Sequence, residues 1–352
     1  MNLVPAERLR DAAQSIFEAA GVPVEEAEIV ARSLVASNLV GFDSHGVIRV
    51  PLYVNWVWTG RFKPGAETEV LRETATTAQL DGHYGFGQVV ARRAMAMAIE
   101  KARRGGTSWV SVRNCGHVGR LGEYPALAAE QGMIGMAMCN NHGGSVFMSV
   151  WGGVGRMLSP NPISFAIPRE GDRPFLLDMT TSVVAEGKLK VARNKKERVP
   201  QGWIMDAEGC PTTEAEALYG PPPGAILPLG GVVGYKGFGL SAAIDMMAGA
   251  LSGAGCSEGA KSGGLNGLLL GAIDIAAFRS VDEFRGEVER FIQYMKSSPR
   301  LPGVEEILVA GEPEYIEQEK RLRQGIPLDD TTLDQIIECA QGLGVQVNLG
   351  RV

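Results

Sequence analysis

Apolar residues recur every three or four positions along residues 9–19 and 25–40, so the chain is expected to open with two amphipathic helices. Gly21 and Pro23 lie between these segments, where a helix boundary is expected. Ser280 and Glu283 have the spacing of a capping box, which predicts a helix running to about Met295. The same apolar periodicity predicts further helices over residues 88–103, 121–131, 237–251, 313–323 and 331–341.

Short runs of β-branched and other apolar residues predict buried strands at residues 109–112, 133–138, 163–167, 175–179 and 307–310. Two long stretches lack such a pattern. Residues 191–230 are rich in Pro, Gly and charge and predict a long surface excursion, whereas the Gly- and Ser-rich residues 252–267 predict a mobile loop. Helices and strands alternate irregularly, so the predicted class is α/β with a helical N-terminal region.

The composition restricts the function. The chain has 352 residues, enough for two or three lobes, and its charged fraction of 21% is typical of a globular protein. A net charge of −6 argues against a nucleic-acid or membrane-surface partner, so an anionic substrate needs a local basic side chain. No apolar run reaches the roughly 20 residues of a membrane span, and no segment has the pattern of a signal peptide. The five cysteines are scattered without a C-x-x-C pair, which favours reduced thiols in the cytoplasm over a zinc site.

The usual phosphate-binding loops are missing from the sequence. Residues 80–87 precede a predicted helix, but only Gly85 and Gly87 match the G-x-G-x-x-G pattern, because position 90 is Val. Residues 234–237 contain a lysine between glycines but lack the spacing and the hydroxyl of a P-loop. Phosphate can also bind at a helix N-terminus, and Thr180-Thr181-Ser182 follows a predicted strand and is expected to begin a helix.

One histidine lies among groups suited to carbonyl chemistry. In Asp43-Ser44-His45-Gly46 a carboxylate and a hydroxyl stand beside an imidazole, and Arg49 follows four residues later. Hydride addition to a ketone leaves negative charge on oxygen, which a histidine can neutralise while an arginine holds a substrate carboxylate. If this stretch is helical, His45, Arg49 and Tyr53 share one face, although Pro51 disfavours a continuous helix.

Two other histidines are rival candidates. His117 lies between Gly116 and Val118 after a predicted strand, and it is an alternative acid/base or a group that holds substrate or nicotinamide. His142, in Asn140-Asn141-His142-Gly143-Gly144, is equally rich in glycine neighbours, while His83 is expected to be structural. No two histidines have the spacing of a metal-binding pair, so no metal site is expected. The residues alone leave open which histidine reacts.

Six short motifs occur in the order in which a known family carries them. They are Asp43-Ser44-His45-Gly46, Gly116-His117-Val118-Gly119, Ser159-Pro160-Asn161-Pro162, Leu177-Asp178-Met179-Thr180-Thr181-Ser182, Gly234-Tyr235-Lys236-Gly237-Phe238-Gly239-Leu240 and Gly311-Glu312-Pro313-Glu314. Over residues 9–344 the sequence resembles the malate/L-lactate dehydrogenase family of the non-Rossmann kind. The segments at residues 119–122 and 311–314 most resemble the hydroxycarboxylate dehydrogenases of that family.

The resemblance implies a non-Rossmann NAD(P)-binding fold with a largely antiparallel central sheet, which would account for the missing phosphate loops. Residues 1–75 and the C-terminal helices of residues 282–352 would form the substrate and dimerisation lobe of a homodimer. Residues 76–281 would form the cofactor-binding sheet domain.

The family pattern also implies roles for individual residues. His45 would be the acid/base, with Ser44 and Arg49 beside it and His117 as its rival. Arg49, Tyr53, Asn141 and His142 would contact the substrate, although many members carry a Thr-Asn pair and a later Pro where this chain has Asn140, Asn141 and His142. The residues expected at the cofactor are His45, Gly119, Arg120, Leu121, Leu176, Leu177, Asp178, Met179, Thr180, Lys236, Asn266, Gly311, Glu312, Pro313 and Glu314.

The predicted function is hydride transfer between NAD and a small malate- or lactate-like 2-hydroxy or 2-oxo acid. The basic run formed by Lys188, Lys190, Arg193, Lys195 and Lys196 could meet the 2′-phosphate of NADP, but a solvated surface explains it equally, and NAD is preferred. Two alternatives stay open. One is reduction of a cyclic imine such as piperideine-2-carboxylate, and the other is a non-catalytic protein that binds a nucleotide or an organic acid.

Overall fold

Helices and short strands follow one another along the chain, and the computed structural model describes residues 2–141, 146–258 and 265–350. In this part of the chain the strands are Asn2–Val4 (β1), Glu69–Glu73 (β2), Thr77–Asp81 (β3), Thr107–Gly116 (β4), Met133–Asn140 (β5), Met148–Ser149 (β6), Arg156–Leu158 (β7), Ile163–Ile167 (β8), Phe175–Met179 (β9), Ile204–Met205 (β10), Pro211–Thr212 (β11), Ala225–Ile226 (β12), Leu265–Asp274 (β13) and Ile326–Leu328 (β14). The α-helices are Ala6–Ala19 (α1), Val24–Leu39 (α2), Val50–Trp58 (α3), Gly87–Gly105 (α4), Glu123–Glu130 (α5), Glu186–Lys195 (α6), Tyr235–Ile244 (α7), Val281–Lys296 (α8), Glu312–Gln324 (α9) and Asp330–Gly342 (α10).

Seven strands form the main sheet, in the order β2-β3-β4-β13-β5-β8-β9. Strands β3 and β4 are parallel and joined by α4, as parallel neighbours require a crossover, and the other five neighbouring pairs are antiparallel. Helices α4 and α5 cover one face, while α7 and the π-helical turn Asp245–Ala250 cover the other. The predicted α/β class is confirmed.

A second hydrophobic core brings together the two ends of the chain. Side chains from α1, α2 and α3 pack against α10, and β1 pairs with β14. Phe86 and Val89, at the start of α4, belong to this core although α4 otherwise packs on the sheet. The beginning of α4 therefore lies where the helical core meets the sheet, and the candidate site lies there as well.

The predicted surface excursion over residues 191–230 is wrong. This region contributes α6 and the strands β10, β11 and β12 to a small five-stranded sheet with β6 and β7. Leu189, Ile204, Leu218 and Ile226 are buried in its own core. These apolar residues stand singly among Pro, Gly and charged positions, so they produce no helical or strand periodicity.

Four smaller predictions are also wrong. Part of the expected mobile loop of residues 252–267 belongs to β13, which pairs with both β4 and β5 and is buried without polar alternation. Residues 307–310 form no strand, and their contact with β9 includes the bond from the Leu176 N–H to the Ala310 carbonyl, at 3.1 Å. Residues 180–182 begin no helix, because the chain bends there and α6 starts only at Glu186. Ser280 does precede α8, but its side chain makes no capping bond. In the described ranges, no helix is long and apolar enough to cross a bilayer.

Candidate active site

The His45 segment is not one continuous helix. Two 3₁₀ turns, Asp43–His45 and Val47–Arg49, lead into α3, and Pro51 lies in the first turn of α3, where its missing N–H is not needed. The Nε of Arg49 donates to the Ser44 carbonyl at 2.7 Å and closes the turn. The Ser44 hydroxyl lies 2.9 Å from His45 Nδ1. His45, Ser44 and Arg49 therefore form one cluster, as the sequence predicts.

Asp43 does not contact the imidazole as its place in the sequence suggests. Its carboxylate binds the guanidinium of Arg321, with oxygen–nitrogen distances of 2.6 and 3.1 Å. Asn38 also donates to this carboxylate, at 2.7 Å. The hydrogen-bond partner of His45 is the hydroxyl beside it, and the carboxylate acts on the turn instead.

His117 follows the end of β4 and is held by buried neutral groups. The Tyr53 hydroxyl lies 2.6 Å from His117 Nδ1, and the Gln88 amide donates to the Tyr53 oxygen at 3.2 Å. The Gly119 N–H also donates to His117 Nδ1, at 3.3 Å. Gly87 lets α4 approach this strand end, since a Cβ there would lie 2.2 Å from the Gly116 carbonyl oxygen. This explains the Gly85-x-Gly87 pattern by close backbone packing.

The two imidazoles stack on each other. Their ring centroids are 5.6 Å apart and their planes differ by 17°. Burial, together with the charges of Arg49 and Arg120, lowers the pKa of His45 from 6.5 to about 4. Burial, followed by Arg49 and His45, lowers the pKa of His117 well below its usual value. Both rings are therefore neutral near pH 7, and only an anion in the site would raise their pKa values.

Arg120 connects the histidine pair to β9. The residue is only 9% exposed, and its Nε is buried without a hydrogen-bond partner in the part of the chain that the structure describes. Burial raises the pKa of Asp178, while Arg120 and a 2.7 Å bond from the Gly122 N–H oppose that rise. The predicted cofactor segments at Gly119 to Leu121 and Leu176 to Thr180 thus meet at Asp178.

The third predicted cofactor segment, residues 311–314, begins α9 beside β9. Gly311 precedes this helix, and a Cβ added to it would lie 3.1 Å from the Leu176 nitrogen. The Glu312 carboxylate already binds Lys296 at 2.8 Å and Arg169 at 3.1 Å, which lowers its pKa against the effect of burial. Pro313 is exposed and Glu314 half-buried on the first turn. Glu312 is therefore occupied with ion pairs within the protein.

Other predicted residues are placed less directly. The Asn266 amide is buried and joins strands, since it accepts from the Val118 N–H and donates to the Asn140 carbonyl, both at 3.0 Å. Lys236 is exposed in the first turn of α7. Asn141 is half-buried, and its side-chain oxygen has no hydrogen-bond partner among the described residues. His142 lies outside the described residues.

Comparison with known proteins identifies the family. The sequence profile of the malate/L-lactate dehydrogenase family matches residues 4–337. The chain belongs to this family. It is 39% identical to a malate dehydrogenase of Pyrococcus abyssi over 97% of this chain and 95% of that protein. It is 32% identical to hydroxycarboxylate dehydrogenase B of Escherichia coli K12, over 97% and 94% of the two chains. The solved malate dehydrogenase of Pyrococcus horikoshii OT3 superposes with a TM-score of 0.89 at 37% identity, over 98% of this chain and 97% of that one.

Membership confirms the expected class, an oxidoreductase acting on small hydroxy acids. The residues that sequence reasoning missed are Gln88, Asn38 and Arg321, which touch the two histidine segments from α4, α2 and α9. Nothing in the sequence points to Arg321, since 278 positions separate it from Asp43.

Proposed function

We propose that this enzyme transfers a hydride reversibly between a nicotinamide cofactor and a 2-hydroxy or 2-oxo acid, with malate-like dicarboxylic acids as the first candidates. The observation that carries the proposal is the stacking of His45 on His117 beside Arg49 and Arg120. In the described part of the chain each ring has hydrogen-bond partners only at Nδ1. The Nε2 atoms are left for a substrate oxygen.

The residues around Arg120 fit the cofactor that the family implies. A buried guanidinium with an unpartnered Nε suits an anionic group such as a cofactor phosphate. Gly119 has a φ of +72°, which allows its backbone to pass close to Gln88 and any neighbouring ligand. Gly119 to Leu121, Leu176 to Thr180 and the backbone at Gly311 to Glu314 would hold the cofactor, which supplies or accepts the hydride when bound. Asn266 would support this site from behind, because its amide is occupied.

Arg49 is the group we assign to the substrate carboxylate. Its Nε is used by the Ser44 carbonyl, while its two terminal nitrogens have no hydrogen-bond partner among the described residues. A carboxylate bound to these nitrogens would lie next to both imidazoles, whose pKa values Arg49 lowers. Tyr53 would act on the substrate through His117, because its hydroxyl is bound there.

His45 is the better acid/base of the pair. The Ser44 hydroxyl oxygen can accept from Nδ1–H of His45 in both the neutral and the protonated ring, so Nε2 is left to gain or lose the proton. The backbone N–H of Gly119 donates to His117 Nδ1 and has a fixed direction. A proton on Nδ1 would therefore point at another N–H donor, which disfavours protonation of His117. His117 therefore stays neutral and donates from Nε2, while His45 exchanges the proton of the hydroxyl group.

NAD is the proposed cofactor rather than NADP. The basic side chains from Lys188 to Lys196 lie exposed on and just after α6, which supports the solvated-surface interpretation.

We also infer a homodimer, with the helical core of both chain ends as its substrate lobe. Phe291, Tyr294 and Leu301 are apolar side chains exposed near the end of α8, where a second copy could cover them. Light scattering after gel filtration tests the dimer, and the cytoplasmic location stays a prediction.

A substrate and cofactor panel tests the proposed function. The protein is mixed with NADH or NADPH and with oxaloacetate, pyruvate or a cyclic imine acid, and loss of absorbance of the reduced nicotinamide is followed. The expected result is rapid oxidation of NADH with oxaloacetate. If NADH binds but no acid is reduced, the protein is a binding protein. If only the imine is reduced, and His45→Asn leaves that rate intact, the enzyme is an imine reductase.

A further inference from the structure

Arg321 lies far from His45 in the sequence but binds the turn that carries it. It is in the last turn of α9 and only 8% exposed. Its Nη1 and Nη2 donate to both oxygens of Asp43 at 2.6 and 3.1 Å, and its Nε donates to Glu317 at 2.6 Å. A two-pronged contact between guanidinium and carboxylate fixes orientation as well as distance.

Asn38 completes the contact from α2. Its amide nitrogen donates to Asp43 at 2.7 Å, and its amide oxygen accepts from the Val47 N–H at 2.8 Å. Nη1 of Arg321 donates to the Asn38 carbonyl as well, at 2.6 Å. Gly46 lies against this amide, and a Cβ there would be 2.2 Å from its oxygen. The turn is therefore held on both sides of His45, at Asp43 and at Val47.

We propose that the ion pair of Arg321 and Asp43 is a positioning device that holds the His45 turn in place for catalysis. This inference rests on the proposed role of His45. An ordinary surface ion pair contributes little and leaves both partners in water. Here the Asp43 side chain is 49% exposed, but Arg321 is buried and uses all three nitrogens on acceptors from α2, the turn and α9 itself. These bonds hold the guanidinium of Arg321 in one position, and its contact with Asp43 fixes the position of the turn.

The charges around His45 make this inference testable. Arg49, Arg120 and His117 face the ring, and α6 approaches Ser44 at Gly187, next to a Glu186 carboxylate that binds the Tyr219 hydroxyl. Asp43, Arg321 and Glu317 lie behind the turn. Neutralising Asp43 removes a negative charge and by itself lowers the pKa of His45, whereas neutralising Arg321 by itself raises it. A looser turn admits water to the ring, which raises the His45 pKa in variants of either residue.

The experiment compares Asp43→Asn, Arg321→Gln and the control Arg323→Gln, whose side chain is exposed in the same turn of α9. The His45 pKa is followed by NMR of the imidazole, beside kcat and KM for the hydroxy acid and thermal unfolding. We expect both variants to raise the His45 pKa and to lower kcat by about 10- to 100-fold, with KM less affected. Arg323→Gln is expected to match the parent. Arg321→Lys, which keeps the charge without the fork, replaces Arg321→Gln if that variant does not fold.

Opposite pKa shifts in Asp43→Asn and Arg321→Gln would show that only charge is transmitted, and the positioning role would be lost. Unchanged kcat and unchanged His45 pKa in two folded variants would also overturn it. The NMR titration needs no turnover, so it separates the two proposals. A His45 pKa that rises in both variants of a protein inactive on hydroxy acids would contradict the proposed function and leave the turn contact standing.

Discussion

The His45 turn (residues 43–49) and the His117 loop (residues 117–120) each position a histidine, but by opposite means. His117 is bound by neutral groups in the interior, Tyr53 and the Gly119 N–H, with Gln88 behind them. His45 contacts a hydroxyl that can rotate, on a turn held by the charged pair of Asp43 and Arg321. A network of fixed donors keeps one ring in one protonation state, whereas a rotating hydroxyl accepts both states. The difference supports the proposed roles, with proton exchange at His45 and substrate orientation at His117.

Substituting each histidine tests this division most strongly. His45→Asn removes the proposed proton donor, and we expect kcat to fall by about 10²- to 10⁴-fold, the usual contribution of general acid–base catalysis. His117→Asn removes the proposed hydrogen-bond donor to the substrate, so a smaller loss of kcat with a higher KM is expected. Steady-state rates with oxaloacetate and NADH measure both.

His83→Asn is the matched control, because the His83 side chain is about half exposed and pairs with Glu69 at 2.9 Å. It is expected to leave the rates unchanged. A much larger loss of kcat in His117→Asn than in His45→Asn would reverse the two roles.

The sequence predicts those contacts of the site that join residues close together in the chain. His45, Ser44 and Arg49 lie within five positions of one another, and the structure brings them together as expected. The partners of this cluster come from distant segments: Asp43 meets Arg321 across 278 positions and Tyr53 meets His117 across 64. No local pattern encodes such pairs, because they arise from packing of α9 and β4 against the helical core.

The same distinction applies to the fold. Amphipathic helices such as α1 and α2 have one solvent-exposed face, so the periodicity of their apolar residues is visible in the sequence. Strand β13 lies in the interior of the sheet, so it has no polar alternation, and its glycines suggest a loop instead. Gly271 is required there because the Trp109 ring lies 2.7 Å from where its Cβ would be.

Acid stability tests the depressed pKa values of the two rings. The unfolded chain binds a proton at His45 below about pH 6.5, whereas the folded chain binds it only near pH 4. Above pH 6.5 the ring is neutral in both states and costs no unfolding free energy. As the pH falls from 6.5 towards 4, only the unfolded chain binds the proton, so the free energy of unfolding decreases. The shift corresponds to about 3 kcal/mol for His45, and His117 adds loss in the same direction.

Urea unfolding between pH 4 and pH 8 measures this dependence. His45→Asn removes one of the two titrating rings and should flatten the curve over the same interval. An equally steep curve in the double variant His45→Asn/His117→Asn would show that carboxylates elsewhere cause the loss.

Glycine substitutions compare the backbone support of the two segments. Gly46→Ala places a Cβ 2.2 Å from the Asn38 amide oxygen and is expected to destabilise the fold by about 1–3 kcal/mol. Gly119→Ala meets Gln88 at 3.2 Å with a φ of +72°, so a loss of about 1 kcal/mol is expected. Urea midpoints measure both, with Gly342→Ala in α10 as a control that has open space and should be neutral or stabilising. A larger loss at Gly119 would show that the His45 turn tolerates displacement better than the His117 loop.

Tyr53→Phe gives the smallest expected effect and separates the two supports most cleanly. The change removes the O–H that donates to His117 and leaves the Gln88 amide without its acceptor, at a cost of about 1–2 kcal/mol in unfolding free energy. The neutral His117 ring loses a stabilising bond, so its pKa rises towards the ordinary value, while the His45 pKa is expected to stay near 4. NMR titration of both imidazoles measures this. If both pKa values move together, the rings share one support, and the division of roles between them fails because neither histidine can then be tuned alone.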